Sequence, residues 1–288
     1  MPDDADRALA ELLRARVRPD GQAWLDDAVA RIAAGAADVA VAFPAAGRQV
    51  GRGGLDAPGA TLTADGGDPV SLAAWRIDDA ARVRLLLADA RRAPAGALAR
   101  ALALYPQGDA RERTGALRAL AFLPGAAADA AALPAVLDAM RVTQGEIFEA
   151  AICDNPYAGR HLPQHEWRKA ALKAIFNGFA LGRLARLDER ADAELAASLV
   201  DFATEREAAT RAVPPELWPV AARFPPPGLA AKLLGYLEHP SPEHRAAAAE
   251  ALGRLAAADA RLRPFLADRA DREPVAAIAA ALRRALTP

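Results

Sequence analysis

Three octapeptides decide the fold: RTGALRAL at residues 113–120, RKAALKAI at 168–175 and RAAAAEAL at 245–252. Each opens on arginine, holds leucine or alanine at the fifth position and a charge at the sixth, and closes on alanine and a large aliphatic. That is one face of a helix made to pack on a neighbouring helix. The copies are unevenly spaced, so they form a degenerate repeat rather than a strict array. Outward from them the chain reads as helix after helix, near 77–92, 95–104, 109–123, 130–152, 164–182, 191–211, 215–223, 228–238, 242–257, 259–267 and 273–286. Two more precede these, at 5–17 and 21–34, joined by the turn Pro19-Asp20-Gly21. Pro94, Pro163, Pro215, Pro242 and Pro274 lie near helix starts, where a missing N–H is not felt.

Composition agrees. The hydrophobic fraction is 53% with aromatics at only 5%, so alanine and leucine, both good helix formers, supply most of the apolar content. Charges balance at 36 basic and 37 acidic residues, which argues against a nucleic-acid binder. Cys153 is the one cysteine, which excludes an intrachain disulfide, a CxxC redox pair and a thiolate zinc cluster. The acidic start Met1-Pro2-Asp3-Asp4 lacks an apolar core, so no secretory signal is expected, and no apolar run reaches the roughly 18 residues of a bilayer span. The expectation is a soluble, cytoplasmic protein. Residues 38–70 differ from the rest: Val39, Val41 and Phe43 alternate, then nine glycines and prolines follow from Pro44 to Gly67. This predicts an irregular glycine-rich insertion with one short strand pair.

The segment EHPSPEHRAAAAEALGRL at residues 238–255 resembles a HEAT repeat. The predicted fold class is therefore all-α, a HEAT-like α-solenoid or helical-repeat superhelix whose concave face is the natural binding surface.

Residues 146–183 combine rarer residue types in a fixed order. Phe148-Glu149-Ala150-Ala151-Ile152, Asn155-Pro156-Tyr157-Ala158, and Trp167 followed by Leu172-Lys173-Ala174-Ile175-Phe176 resemble the EboA-like domain family. So do Ala81-Arg82-Val83-Arg84-Leu85-Leu86-Leu87, Leu187-Asp188-Glu189-Arg190-Ala191, Glu205–Arg211 and Pro215-Glu216-Leu217-Trp218. The chain departs from the family pattern at Arg168-Lys169-Ala170, where an Asn-Gln-Met run is usual, and at Thr204, where histidine is typical. The likeness spans residues 1–224, and residues 225–288 form a HEAT-like tail expected to pack on that domain. The resemblance implies a setting: bacterial gene clusters for secondary-metabolite precursors moved toward the cell envelope. Implied partners are other proteins of a metabolite-handling complex, among them a membrane prenyltransferase-like protein, with the chain itself at most peripheral to the inner membrane. It implies no chemistry for this component.

Between Ala170 and Leu181 only Lys173 and Asn177 are polar, four apart on one face, which predicts a helix buried nearly all round. A buried ammonium needs a carboxylate, and Glu149, Asp154, Asp201 and Glu205 are the candidates. Only three lysines occur in the chain, two of them in this helix. A structural ion pair that sets helix register explains Lys173 as well as a ligand cavity does. Arg206 follows Leu195, Leu199 and Phe202 at helical spacing, so it either covers the core edge with its stem or offers its planar fork to an anion. Asn155-Pro156-Tyr157 is a conformational stop with a packed tyrosine, or else sets an amide and a hydroxyl at a pocket mouth. The candidate ligand-binding set is Glu149, Asn155, Tyr157, Lys173, Asn177, Glu205 and Arg206.

No catalytic template is met. Ser71, Ser198 and Ser241 lie outside GxSxG and SxxK, no Walker loop exists, and residues 47–54 lack GxGxxG. His161 and His165 are separated by Pro163, and His239 and His244 flank a Pro-Ser-Pro turn, so neither pair forms a metal motif. Cys153, at an apolar helix end, reads as a buried small hydrophobe. Asp26-Asp27 and Asp78-Asp79 read as solvated or helix-start charge. No cofactor, metal or catalytic residue is predicted. The first functional expectation is a non-enzymatic scaffold or adaptor in a metabolite system. The second is a carrier of a small, largely apolar metabolite with its pocket around Lys173. The third is an enzyme using a buried Lys173.

Overall fold

Alanine- and leucine-rich segments separated by proline and glycine turns fold as helices in the computed structural model, which describes residues 2–286. The first nine are α1 (Pro2–Arg14), α2 (Pro19–Ala33), α3 (Val39–Val50), α4 (Ile77–Arg92), α5 (Ala97–Leu104), α6 (Ala110–Ala119), α7 (Leu133–Arg141), α8 (Gly145–Ile152) and α9 (Pro156–His161). They are followed by α10 (Gln164–Phe176), α11 (Leu187–Arg190), α12 (Ala193–Ala208), α13 (Leu217–Ala221) and α14 (Leu229–Tyr236). The last are α15 (Pro242–Ala258), α16 (Arg263–Arg272) and α17 (Ala276–Leu286). Strands β1 (Thr61–Thr63) and β2 (Pro69–Ser71) pair antiparallel with Leu62 opposite Val70. The fold is all-α, as the sequence predicts. Among the described residues no helix is long and apolar enough to cross a membrane.

The chain divides into two compact units, Met1–Ala170 with Arg183–Arg186, and Ala171–Gly182 with Leu187–Pro288. In the first unit α4 is the hub, packed by α1, α2, α3 and α6. Every residue from Ile77 to Ala90 is buried, although five of them are charged. Asp78 and Asp79 are thus core residues rather than solvated ones, a correction to the sequence reading. Their helix-start position is right, but Arg82 and Arg118 neutralise them, with Arg82 Nη1 2.7 Å from Asp78 Oδ2 and Arg118 Nε 3.2 Å from Asp79 Oδ2. Arg84 reaches back to Asp6 at 2.7 Å, and Arg100 binds Asp89 at 2.6 Å. Gly115 on α6 exists for this packing: a Cβ there would lie 2.6 Å from Arg82 Cδ.

Residues 39–50 are a helix, not part of an irregular insertion. Val39, Phe43, Ala46, Gly47 and Val50 are its buried face while Val41 is 76% exposed, so the three apolar residues that alternate at its start are coincidental. Asp38 caps it through Oδ1 and Ala40 N–H at 2.9 Å, and Gly51 ends it at φ 95°. The irregular part begins after that glycine and contains the expected strand pair. The single helix expected over 130–152 is two, because Val142 is extended (ψ 155°) and α8 starts afresh at Gly145. Apolar periodicity runs on through Val142-Thr143, but β-branched residues and a glycine weaken the helix there.

In the second unit α13 packs on α12 and α15, and α15 packs on α14 and α17. Helix α15 opens on the capping Ser241 with Pro242 in its first turn. Its small buried residues let α17 approach closely: a Cβ on Gly253 would meet Ala285 Cβ at 3.0 Å. Glu273 ties this unit together. Its carboxylate takes Arg245 in a fork at 3.0 Å on each oxygen and Arg269 at 2.6 Å.

Candidate functional site

The segment Ala174–Phe179 sets one wall of a groove in the second unit. Gly178 N–H donates to Ile175 O at 3.2 Å, Phe179 N–H donates to Ala174 O at 2.9 Å, and Gly178 has φ 82°. This paired closure with glycine in the left-handed region ends α10 at Phe176. The helix therefore does not run on as a buried rod to Leu181, and the expectation of burial all round is overturned. Phe176 is 69% exposed, Asn177 is exposed and Lys173 is half-buried. An apolar run gives the composition of a helix face, not whether another element covers it.

The groove has a volume of about 580 Å³. One wall is Leu172, Lys173, Phe176 and Asn177 from the end of α10, and the other is Ser198, Asp201, Phe202 and Glu205 from α12. Each set recurs at helical spacing, so each is one stripe of its helix. Ser198 Oγ donates to Glu194 O at 2.9 Å, leaving the carboxylates of Asp201 and Glu205 as the acidic groups of that wall. Lys173, Asn177 and Glu205 of the candidate set thus share one site.

The other four have different surroundings. Arg206 does not line the groove; its guanidinium lies 5.4 Å over the Phe202 ring, and its Nε donates to Ala212 O. Glu149, Asn155 and Tyr157 belong to the first unit. Asn155 caps α9 by accepting from Tyr157 N–H at 3.1 Å, and its amide donates to Ala150 O at 2.8 Å and Leu117 O at 3.0 Å. Tyr157 Oη accepts from Ala132 N–H and donates to Asp129 O, both at 2.8 Å, and burial pushes its hydroxyl up to about 12. Both side chains act as fasteners of the α7–α9 region. Asn155→Ala takes a donor from the Ala150 and Leu117 carbonyls and removes a cap, so we expect a loss of about 2–3 kcal/mol in urea unfolding. A loss below about 0.5 kcal/mol would show that the cap and both bonds are replaceable.

Glu149 Oε1 accepts from Arg183 Nη1 at 2.7 Å, and Arg183 also binds Asp154 at 2.7 Å. Glu149 lines a separate pocket of the first unit with Arg76, Asp79, Arg111, Arg118 and Glu146. Cys153 is buried, which pushes its thiol up to about 12 against the pull of Arg183, so it is a packing residue rather than a thiolate. The His239 and His244 rings lie tilted against each other with centroids 4.0 Å apart, and burial, then His239, lowers the His244 pKa. Among the described residues no group of three or more His, Cys, Asp or Glu is arranged to hold a metal.

The sequence reading missed Leu172, Phe176, Ser198 and Phe202 as groove residues, and took Asp201 only as an ion-pair partner. The signal was present in the 198, 201, 202, 205 spacing, which runs beside the apolar stripe of α12.

No curated protein and no solved structure matches the chain. A family model described as the metabolite traffic protein EboA matches residues 5–222. Since that match covers well over half of the 288 residues, the chain belongs to the EboA family of metabolite traffic proteins.

Proposed function

We propose that this protein is a non-enzymatic component of a metabolite-traffic system and that the groove between α10 and α12 receives a small amphipathic metabolite. The observation that carries this reading is the groove itself. Its volume of about 580 Å³ falls in the roughly 300–1,000 Å³ range of small-molecule sites. Leu172, Phe176 and Phe202 supply apolar surface, while Lys173, Asn177, Asp201 and Glu205 supply a few polar anchors. An apolar body with a hydroxyl or amine-bearing end fits that division of labour.

The test is extraction and mass spectrometry of the protein purified under native conditions. A metabolite should co-purify, and Phe176→Asp should lower its occupancy by about tenfold. Phe176 is exposed, so this substitution leaves the core untouched. Recovery of the same metabolite at the same occupancy from Phe176→Asp, or of none from the wild type, would sink the assignment.

A second reading, the scaffold or adaptor, is favoured by the exposure of Phe176, since an uncovered aromatic at a groove rim also suits a protein partner. In that reading α14 with α15 and α16 with α17 act as two HEAT-like helix pairs, each pair in mutual contact. The partner would be another component of the metabolite assembly, such as its membrane prenyltransferase-like protein. The same native spectrum separates the two readings by the mass of what is retained.

A further inference from the structure

We propose that a second, polar pocket in the first unit binds a small zwitterion of amino-acid size. Helix α6 presents Arg111, Thr114 and Arg118 to this pocket, one stripe at helical spacing, and α8 presents Glu146 and Glu149. The two helices pack on each other. A guanidinium wall therefore meets a carboxylate wall, with Asp79 and Arg76 from the start of α4 completing the lining.

The floor is buried. Arg118 and Asp79 are both more than nine-tenths buried, 3.2 Å apart. Arg118 lies 5.1 Å over the Trp75 ring and donates through Nη2 to Ala74 O at 2.9 Å, but its buried Nε makes no hydrogen bond. Burial raises the Asp79 pKa against the pull of Arg118. Not every lining charge is committed. Glu149 is held by Arg183, whereas Glu146 has no ion pair among the described residues. Arg111 and Arg76 approach Asp78 only to 3.7 Å and 3.8 Å.

A simple anion in this pocket would face Glu146 and Glu149, and a simple cation would face Arg111 and Arg118. A molecule carrying both charges sets its carboxylate on the α6 wall and its ammonium on the α8 wall. Size sets the class: the volume is about 140 Å³, and a cavity of about 150 Å³ admits a benzene-sized guest. A free amino acid with a short side chain has that bulk.

The experiment is calorimetric titration of the full chain with serine, lactate, ethanolamine and inorganic phosphate. Serine should bind at least about tenfold more tightly than the other three. Arg111→Gln and Glu146→Gln, both at the solvent edge, should each weaken serine by about tenfold, and Glu146→Gln should erase the preference for serine over lactate. Phe176→Asp should leave serine binding unchanged, which keeps this pocket distinct from the groove. Tightest binding by phosphate, equal binding of serine and lactate by the wild type, or no heat from any probe at about 10 mM, a level at which even a 1 mM complex saturates, would each overturn the proposal. If a variant loses its helical circular dichroism, the wild-type probe series decides alone.

Discussion

Asp78→Ala is expected to lower unfolding stability by about 3–5 kcal/mol, a large share of the roughly 5–15 kcal/mol that holds a domain together. Asp78 and Arg82 are 0% and 1% exposed, joined at 2.7 Å, with the arginine pressed 5.6 Å over the Phe43 ring. Removing the carboxylate leaves a guanidinium in the core without its ion-pair partner, and the close approach of Gly115 and Gly47 leaves it little room to leave. The favourable half of the ion pair disappears while the desolvation penalty of the other half stays. Urea denaturation followed by circular dichroism reads the loss directly. The double variant Asp78→Leu with Arg82→Met should recover most of it, because it removes both buried charges together. A single-variant loss under about 1 kcal/mol would mean that Arg82 escapes to solvent.

Glu273→Ala should be of similar size in the second unit, about 3–5 kcal/mol, because two arginines lose one shared partner. Arg245 and Arg269 both bind this carboxylate, and each also donates to backbone carbonyls of the turn that follows α14, at His239, Pro240 and Leu237. Val275 N–H donates to the same carboxylate at 3.0 Å just before α17. One acid thus joins three helices.

The pair also predicts a pH dependence. Hydrogen bonding from Arg245 is the main influence that holds Glu273 below the usual glutamate value of 4.5. A depressed folded-state pKa stabilises the protein above the unfolded value, and that contribution fades as the pH falls through the folded one. Melting temperature should therefore drop as the pH goes below 4.5, and Glu273→Gln should show a shallower slope there. Parallel slopes for the two proteins would remove Glu273 as the titrating group.

Most of the helices were legible because alanine, leucine and arginine at helical spacing leave little alternative, and because proline and glycine punctuate them. Residues 77–92 and the start of α15 at Pro242 were read to the residue. Two element boundaries differ, each for its own local reason. Val39, Val41 and Phe43 offered a two-residue period too short to be tested against the helical one, and Val142 broke a helix that its neighbours continued. The candidate site was legible in part. Lys173, Asn177 and Glu205 do come together, but Asn155 and Tyr157 turned out to be bonded by Leu117, Ala132 and Asp129, partners distant in sequence.

What sequence alone determined is the helical class, the EboA relationship and the absence of any familiar catalytic motif, since these follow from local periodicity and ordered residue types. What only tertiary structure decided is burial. The charged α4 became a core helix and the apolar end of α10 became a groove wall. The reason is that solvent exposure depends on which elements come to lie against a helix. A buried arginine is tolerated once an aspartate meets it, and an exposed phenylalanine once nothing does.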